Sequence, residues 1–539
     1  MTEKHTTEQA QPPVTKLELY SYLLYYCGDN GHTMYSYMPT LLQYMAYRGG
    51  FDPASPTTRG CDLNNILNPC HVSLSSHNSI GDGIPVSSMV LYVQAFSFFI
   101  QFLLFTTFGA LADFGRTNLY IVIGATILAC TAQIIPVTLI NDDGSHWYIM
   151  AVLMFLALVG YGATLVFYLA AYPRLSDNLP IVRSAFRNKY LSQDELYNVI
   201  EYWRKTLSVL LVAACFSGHF FISSLLAGVS FLPWPTGPFL TDGHTLGDTA
   251  LYNYIGTVVC GVYWLLLSIP FFVTQPSGRR GPSFPKNACR LTFGWKTIIL
   301  TLKDMRRNRY LFTYLLAYFL FADALSTMDQ LTAIIIGQIT HFSTQQQTIM
   351  GLVFGGSNLC GCAFFHFISK HFGLSTKAIL IINLSAVTLI TAYGSIGIVS
   401  PTIGFKSREE LWAYCTSGFF AGGIMAYQTA MLAQLIPKSK ENLFFGIFGI
   451  VSRASSWMGP VVIGAIAQRT GNLWTGWPVI CGIHTVAFWW HVVVTYQWAQ
   501  VVIQRFRNGL GGPLVESTLS GKVIMGLQWL AFFLLSDIQ

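Results

Sequence analysis

Charge is what this sequence has least of. Asp, Glu, Lys and Arg together make up 10% of its residues, against roughly a quarter in soluble domains, and that shortage excludes most water-soluble folds. There is no glycine-rich phosphate loop, no His-Glu-x-x-His zinc pattern and no Gly-x-Ser-x-Gly elbow. These absences remove the usual signatures of an ATP-driven pump and of a membrane hydrolase, so no enzyme is expected. No basic patch accompanies a recognition motif, which argues against nucleic acid as a partner. The eleven cysteines fall mostly inside apolar stretches and never at metal-ligand spacing, so neither a metal nor a cofactor is expected. Residues 1–16 lack the charged start, short apolar core and small-residue cleavage site of a secretory signal. The first apolar run is therefore expected to remain as an internal signal.

Long apolar runs are what the chain has in abundance, with 53% hydrophobic residues. A bilayer core takes about 20 mostly apolar residues per helix. Runs of that kind fall at 17–44, 87–112, 119–140, 147–172, 206–232, 251–273, 310–337, 348–368, 377–399, 410–435, 443–467 and 475–498. The pattern predicts an all-α membrane protein with twelve transmembrane helices. With the N terminus in the cytosol, 25 of the 31 Lys and Arg residues fall on the cytosolic side. Five (Arg48, Arg59, Lys406, Arg408 and Arg469) fall opposite, and Arg453 lies within a span. The positive-inside rule then places both termini in the cytosol.

A basic stretch, 274–309, divides the spans into two sets of six. The expected organisation is a cytosolic tail (1–16), a first six-helix bundle (17–273), this linker, a second bundle (310–498), and a cytosolic tail (499–539) carrying a short interfacial apolar segment at 523–535. The linker is read as solvated, touching anionic headgroups. Leu196, Val199, Ile200 and Trp203 follow helical spacing and predict a segment lying along the membrane surface before the fifth span. In the polar loop after the first span, Cys61 and Cys70 form a candidate disulfide.

An internal echo supports the two-set reading. Ser21-Tyr22-Leu23-Leu24-Tyr25-Tyr26 precedes Asp29, and Thr313-Tyr314-Leu315-Leu316-Ala317-Tyr318 precedes Asp323; each opens its set, as in a duplicated transporter. An ionisable group at mid-membrane costs about 2.5–3.5 kcal/mol on insertion scales, so those present mark functional candidates by default. They are Asp29, with Asn30 and two glycines beside it, Asp323, Asp329 and Arg453. The carboxylates suit a substrate amine or a proton, and the Arg453 fork suits a carboxylate. His32, His219, His366, His484 and His491 are weaker candidates, since they share no spacing.

The stretch Gly109-Ala110-Leu111-Ala112-Asp113-Phe114-Gly115-Arg116 resembles the cytosolic loop signature of the major facilitator superfamily. The resemblance implies a conformational lock built from Gly109, Asp113 and Arg116. Residues 315–328 and 435–446, continued by Ser452-Arg453-Ala454-Ser455-Ser456-Trp457-Met458-Gly459-Pro460, resemble the fungal autophagy-related vacuolar amino-acid effluxer family within that superfamily. What this implies is two pseudo-symmetric six-helix bundles in the vacuolar membrane and secondary active export of amino acids to the cytosol, with a proton as the candidate coupling ion. Asp323 and Arg453 match residues that recur in that family. Two other readings stay open: a transporter of a secondary metabolite in an organelle or plasma membrane, and a non-transporting receptor or scaffold on the same fold.

Overall fold

The computed structural model describes residues 12–63, 70–73, 83–188, 191–232, 234, 246–276, 283–285, 289–303, 309–338, 342, 344–435, 441–455, 458–470 and 472–507. The apolar runs become helices. In chain order these are α1 (Lys16–Gly28), α2 (His32–Tyr35), α3 (Tyr37–Gly49), α4 (Val86–Phe108), α5 (Thr117–Ile134), α6 (Trp147–Leu169), α7 (Tyr172–Asp177), α8 (Pro180–Arg187), α9 (Gln193–Ser230) and α10 (Leu246–Thr274). There follow α11 (Arg290–Lys303), α12 (Arg309–Gln338), α13 (Thr344–Phe372), α14 (Thr376–Ile396), α15 (Arg408–Cys415), α16 (Gly418–Leu435), α17 (Glu441–Ser455), α18 (Met458–Thr470) and α19 (Gly476–Arg507). Among the described residues, eight helices are long and apolar enough to cross a membrane. Two of the runs are instead broken into shorter pieces, α1–α3 and α15–α16, and the run at 443–467 is described as α17 and α18, with 456–457 outside the described residues. The two tails, 1–11 and 508–539, lie outside the described residues, and with them the apolar segment at 523–535.

Two expectations need correcting. The molecule is not wholly helical: β1 (Phe51–Asp52), β2 (Ser55–Arg59), β3 (His71–Val72) and β4 (Ile84–Pro85) form an antiparallel sheet in the order β2-β1-β3-β4. Strands this short fall below what residue alternation can reveal, and Cys61 and Cys70, joined by a disulfide, link the two sides of the sheet. The segment before the fifth span is likewise no separate surface helix. It is the start of α9, which runs unbroken for 38 residues, about 57 Å at 1.5 Å per residue, well beyond a hydrocarbon core of about 30 Å. A capping box, in which Ser192 and Glu195 satisfy each other's backbone N–H groups, sets where α9 begins. Ile200 is buried in the main core, with Leu196 and Trp203 packed against it.

Helices α1, α4, α5, α6, α9 and α10 pack among themselves, as do α12, α13, α14, α16, α17 and α19. Between the sets, α9 lies against α13 and α16, and α4 against α17 and α18. The base of the molecule is the end that carries Lys16. There Ser21 and Thr274 hydroxyls share a 2.6 Å hydrogen bond, and Arg204 clasps Asp177 through three contacts of 3.0–3.2 Å. At the far end Gly49, closing α3, meets Gly144 so tightly that a Cβ on Gly49 would lie 2.0 Å from the Gly144 carbonyl oxygen. Gly144 sits at φ +91°, and its N–H donates to Asp142 at 2.8 Å. Partial burial pushes the Asp142 carboxyl up, but hydrogen bonds from the His146 ring and from the His146 and Gly144 N–H groups outweigh it and hold it below the usual range.

The basic linker holds a docked helix. Gly294 of α11 meets α4 where a Cβ would lie 2.2 Å from the Thr106 carbonyl oxygen, and Trp295 Nε1 donates to Thr107 Oγ1 at 3.1 Å. The rings of Phe293 and Phe284 close on Phe114 at 5.4 and 5.1 Å. The opposite face of α11 exposes Ile299 and Leu300.

Candidate functional site

The first span breaks at its middle, and the residues there explain why. α1 stops at Gly28. Asn30 spends its side chain on the break, donating from Nδ2 to the Cys27 carbonyl at 2.9 Å and accepting at Oδ1 from the His32 N–H at 3.1 Å. Gly31 then takes φ +74°, a left-handed conformation that costs an L side chain about 1–2 kcal/mol. A Cβ there would meet the Tyr161 hydroxyl at 2.4 Å. Asn30 is therefore a turn-forming residue in this structure. Asp29, between the two glycines' turns, is wholly buried.

Helix α9 passes close behind this break. A Cβ on Gly218 would lie 2.0 Å from the Cys27 carbonyl oxygen, and the Cys215 thiol faces the Asp29 carbonyl at 3.9 Å. Toward the base, Tyr22 and Tyr25 both stack on Tyr168, with centroids at 4.2 and 4.9 Å, and Phe271 packs across them. Tyr22 and Tyr168 exchange hydroxyl-to-carbonyl hydrogen bonds of 2.9 and 2.7 Å. On the other side of the break a small cavity of about 10 Å³ is lined by Asn30, Gly31, His32, Gln133, Tyr161 and Trp264.

In the second set the aspartates lie in other surroundings. α12 is unbroken through Asp323. Asp323 Oδ1 accepts from the Gly459 N–H of α18 at 3.2 Å. Gly459 is needed for that approach, since a Cβ would lie 1.8 Å from Thr327 Oγ1. Asp329 turns to a different neighbour and accepts from the Tyr414 hydroxyl of α15 at 3.2 Å. Arg453 lies on α17, with its side chain outside the described residues. The recorded contacts of Asp29, Asp323 and Asp329 thus go to three different elements, α9, α18 and α15.

The loop signature after α4 forms a 3-10 turn over Gly109–Asp113, followed by Gly115 at φ +58° and Arg116 at the start of α5. Gly109 faces Ile450 of α17, 3.7 Å from where its Cβ would be. The turn therefore sits where the two sets of helices meet; the Asp113 side chain lies outside the described residues.

Contacts close the seam between the sets at both ends. Near the base, Lys205 reaches Ser369, and Ser208 Oγ donates to the Ala426 carbonyl at 3.0 Å. Toward the far end, the Tyr252 hydroxyl meets Thr348 Oγ1 at 3.2 Å, and His219 Nε2 meets the Gly351 carbonyl at 3.3 Å. Sequence reasoning named His219 among its weaker candidates but could not assemble this second group. His32 and His219 are 187 residues apart in the chain yet have ring centroids 4.8 Å apart, and only the fold juxtaposes them. The tyrosine stack was partly visible in the repeated Tyr22 and Tyr314, but Tyr168 carries no local signal. Among the described residues no group of His, Cys, Asp or Glu is gathered in a way that could hold a metal ion.

A sequence model of the family described as vacuole effluxer Atg22 like matches residues 14–501. Autophagy-related protein 22 of Yarrowia lipolytica is 27% identical over 250 residues, covering 42% of each chain. Its namesake in Vanderwaltozyma polyspora is 22% identical over 462 residues, covering 81% of this chain and 82% of the relative. The first relatives matched are thus aligned over less than half their length, and others over most of it. Among solved structures, the human organic anion transporter MFSD10 superposes with a TM-score of 0.53 at 13% identity, over 88% of this chain and 98% of that one. The shared fold is that of a membrane transporter.

Proposed function

Because the chain belongs to the Atg22-like vacuole effluxer family, we propose that this integral membrane transporter moves amino acids from the vacuolar lumen to the cytosol. In this reading the chain crosses the bilayer twelve times, the broken runs α1–α3 and α15–α16, the run of α17 and α18, and the long α19 adding to the eight continuous helices. Residues 17–273 and 310–498 form two six-helix bundles joined by 274–309, with both termini and the base in the cytosol. Transport follows from rocking the bundles about the seam, so that the contacts at its two ends part in alternation.

The observation that carries the proposal is the break in the first span. Discontinuous helices near the middle of a transporter mark its binding region, because unwound backbone and helix ends supply polar groups that an intact helix keeps to itself. Asp29, buried at that break, offers a carboxylate to a substrate ammonium. Asp323 answers it from the second bundle, and Arg453 supplies a cation for the substrate carboxylate. Proton entry down the vacuolar gradient drives the cycle.

Flux of a mixed amino-acid pool into or out of vesicles holding the purified protein, read by mass spectrometry with and without a proton gradient, tests this. Gradient-dependent movement of particular amino acids is expected. Asp29→Asn or Asp323→Asn should lower it at least about tenfold, equivalent to about 1.4 kcal/mol, with the protein still folded. Asn at 323 keeps an oxygen for the Gly459 N–H, so the loss reads the charge rather than the contact. Wild-type flux by both variants, or a silent pool from folded protein, overturns the assignment; the silent pool redirects the search to secondary metabolites.

A further inference from the structure

The linker helix α11 has two faces of different character. Phe293, Gly294 and Ile298 make up the docked one, turned to Phe114, to α4 and to the main core. The other carries Trp295, Ile299 and Leu300, which are 40%, 51% and 63% exposed, and Lys296 and Lys303 are exposed among them. At 3.6 residues per turn, Trp295 and Ile299 fall in one row and Lys296, Leu300 and Lys303 in the row beside it. An apolar row flanked by lysines is the pattern of a helix lying in a membrane interface.

The depth of α11 follows from what it docks on. Thr106 and Thr107, its anchors, lie in the last turn of α4, and Ser88–Phe108 is one of the eight apolar spans. A helix fastened to that turn lies where the hydrocarbon ends and not out in the aqueous space. Tryptophan rings settle at that level, and lysines there keep their stems against apolar surface and their ammonium groups among the headgroups. Charge points the same way. From 274 to 309 the chain carries nine Lys and Arg residues and one acid, Asp304. Among the described residues, no carboxylate forms an ion pair with Lys296 or Lys303.

We propose that the open face of α11 is a binding surface for anionic phospholipid. Trp295, Ile299 and Leu300 enter the edge of the hydrocarbon, and Lys296 and Lys303 meet the negative headgroups. A soluble anion would satisfy the lysines and leave the apolar row bare, whereas a phospholipid answers both at the depth the docking sets. Lipid and α4 then hold α11 from opposite sides, and the first set of helices is anchored to the leaflet at its base. The surface requires only that the helices span a bilayer, so it stands or falls apart from the amino-acid cargo.

Contact quenching tests it. A fluorescent unnatural side chain replaces Ile299 in the full chain, reconstituted in vesicles of phosphatidylcholine with a minority of phosphatidylserine, and bromine is carried on the acyl chains of one lipid at a time. Both brominated lipids should quench, and phosphatidylserine should do so out of proportion to its share. Lys296→Gln and Lys303→Gln should each lower that preference about fivefold, the worth of one basic residue near an anionic surface, and high salt should lower it as well. The same label at Leu300, in the neighbouring row, repeats the measurement with Ile299 in place. Absence of quenching at both positions in folded protein puts the face in water or against protein and overturns the proposal. Equal quenching per molecule of the two lipids leaves apolar contact without headgroup selection and overturns it too. So does a preference that neither lysine substitution moves. Both lysines are exposed, so the variants should unfold in detergent at the wild-type temperature, and the readout contains no flux.

Discussion

The first and seventh spans begin with the same phrase and end differently. Tyr22 and Tyr314 hold corresponding places in the echo, and each hydroxyl donates to a backbone carbonyl three spans further along: Tyr22 to Tyr168 at 2.9 Å and Tyr314 to Gln428 at 2.7 Å. The aspartates that follow do not correspond. Asp29 sits in a helix broken by Asn30 and Gly31, while Asp323 sits in an unbroken helix and accepts from Gly459 of α18. A repeat can preserve its structural hydrogen bonds while one copy breaks its helix and the other keeps it whole. What is repeated is the bracing of the bundle, and what diverges is the region where polar groups face one another.

Disturbing either glycine contact should produce the largest losses. Gly31→Ala puts a Cβ at positive φ and against the Tyr161 hydroxyl, and should destabilise by about 2–4 kcal/mol, the left-handed cost and overpacking together. Thermal unfolding in detergent measures this, and Tyr161→Phe in the same chain should recover part of it. Gly459→Ala should cost about 1–3 kcal/mol by overpacking Thr327, with recovery by Thr327→Ala. If the first rescue works and the second does not, the contact of Gly459 with Thr327 tolerates less adjustment than the break in the first run. Smaller effects test the shared feature. Tyr22→Phe and Tyr314→Phe should each lose about 0.5–1.5 kcal/mol, one buried hydrogen bond, and a difference above about 1 kcal/mol would show that the two braces are not equivalent.

The smallest effect lies where the first span ends against Gly144. Asp142 is held below the usual carboxylate range, so its contribution is full above the unfolded value of about 3.9 and disappears as pH falls through the folded one. Since Asp142 is near the surface, this amounts to less than about 1 kcal/mol. Unfolding temperatures compared at neutral pH and below pH ~4 should converge for wild type and Asp142→Asn only at the acid end.

Much of the fold was legible because membrane helices announce themselves by length and hydropathy, and the break at Asn30 and Gly31 because turn residues inside an apolar run have few other uses. The start of α9 was misread because amphipathic spacing is the same whether a helix lies on a membrane or continues into it. The partners of Asp29 and Asp323 were out of reach for another reason. Cys215 and Gly459 meet them only after the chain has crossed the molecule several times, and nothing near them in sequence marks that meeting. The docking of α11 turns on Gly294, one glycine among 47.

That docking has a mechanical meaning. Because α11 is fastened to α4 through Thr106 and Thr107, it travels with the first set of helices, and residues 290–303 of the linker are not free cord. Only five residues separate Lys303 from Arg309, where α12 begins, and a chain of that length reaches at most about 20 Å. The second set is therefore on a short leash at the base. However widely the far end parts, the stroke at the base has a ceiling written into the covalent chain.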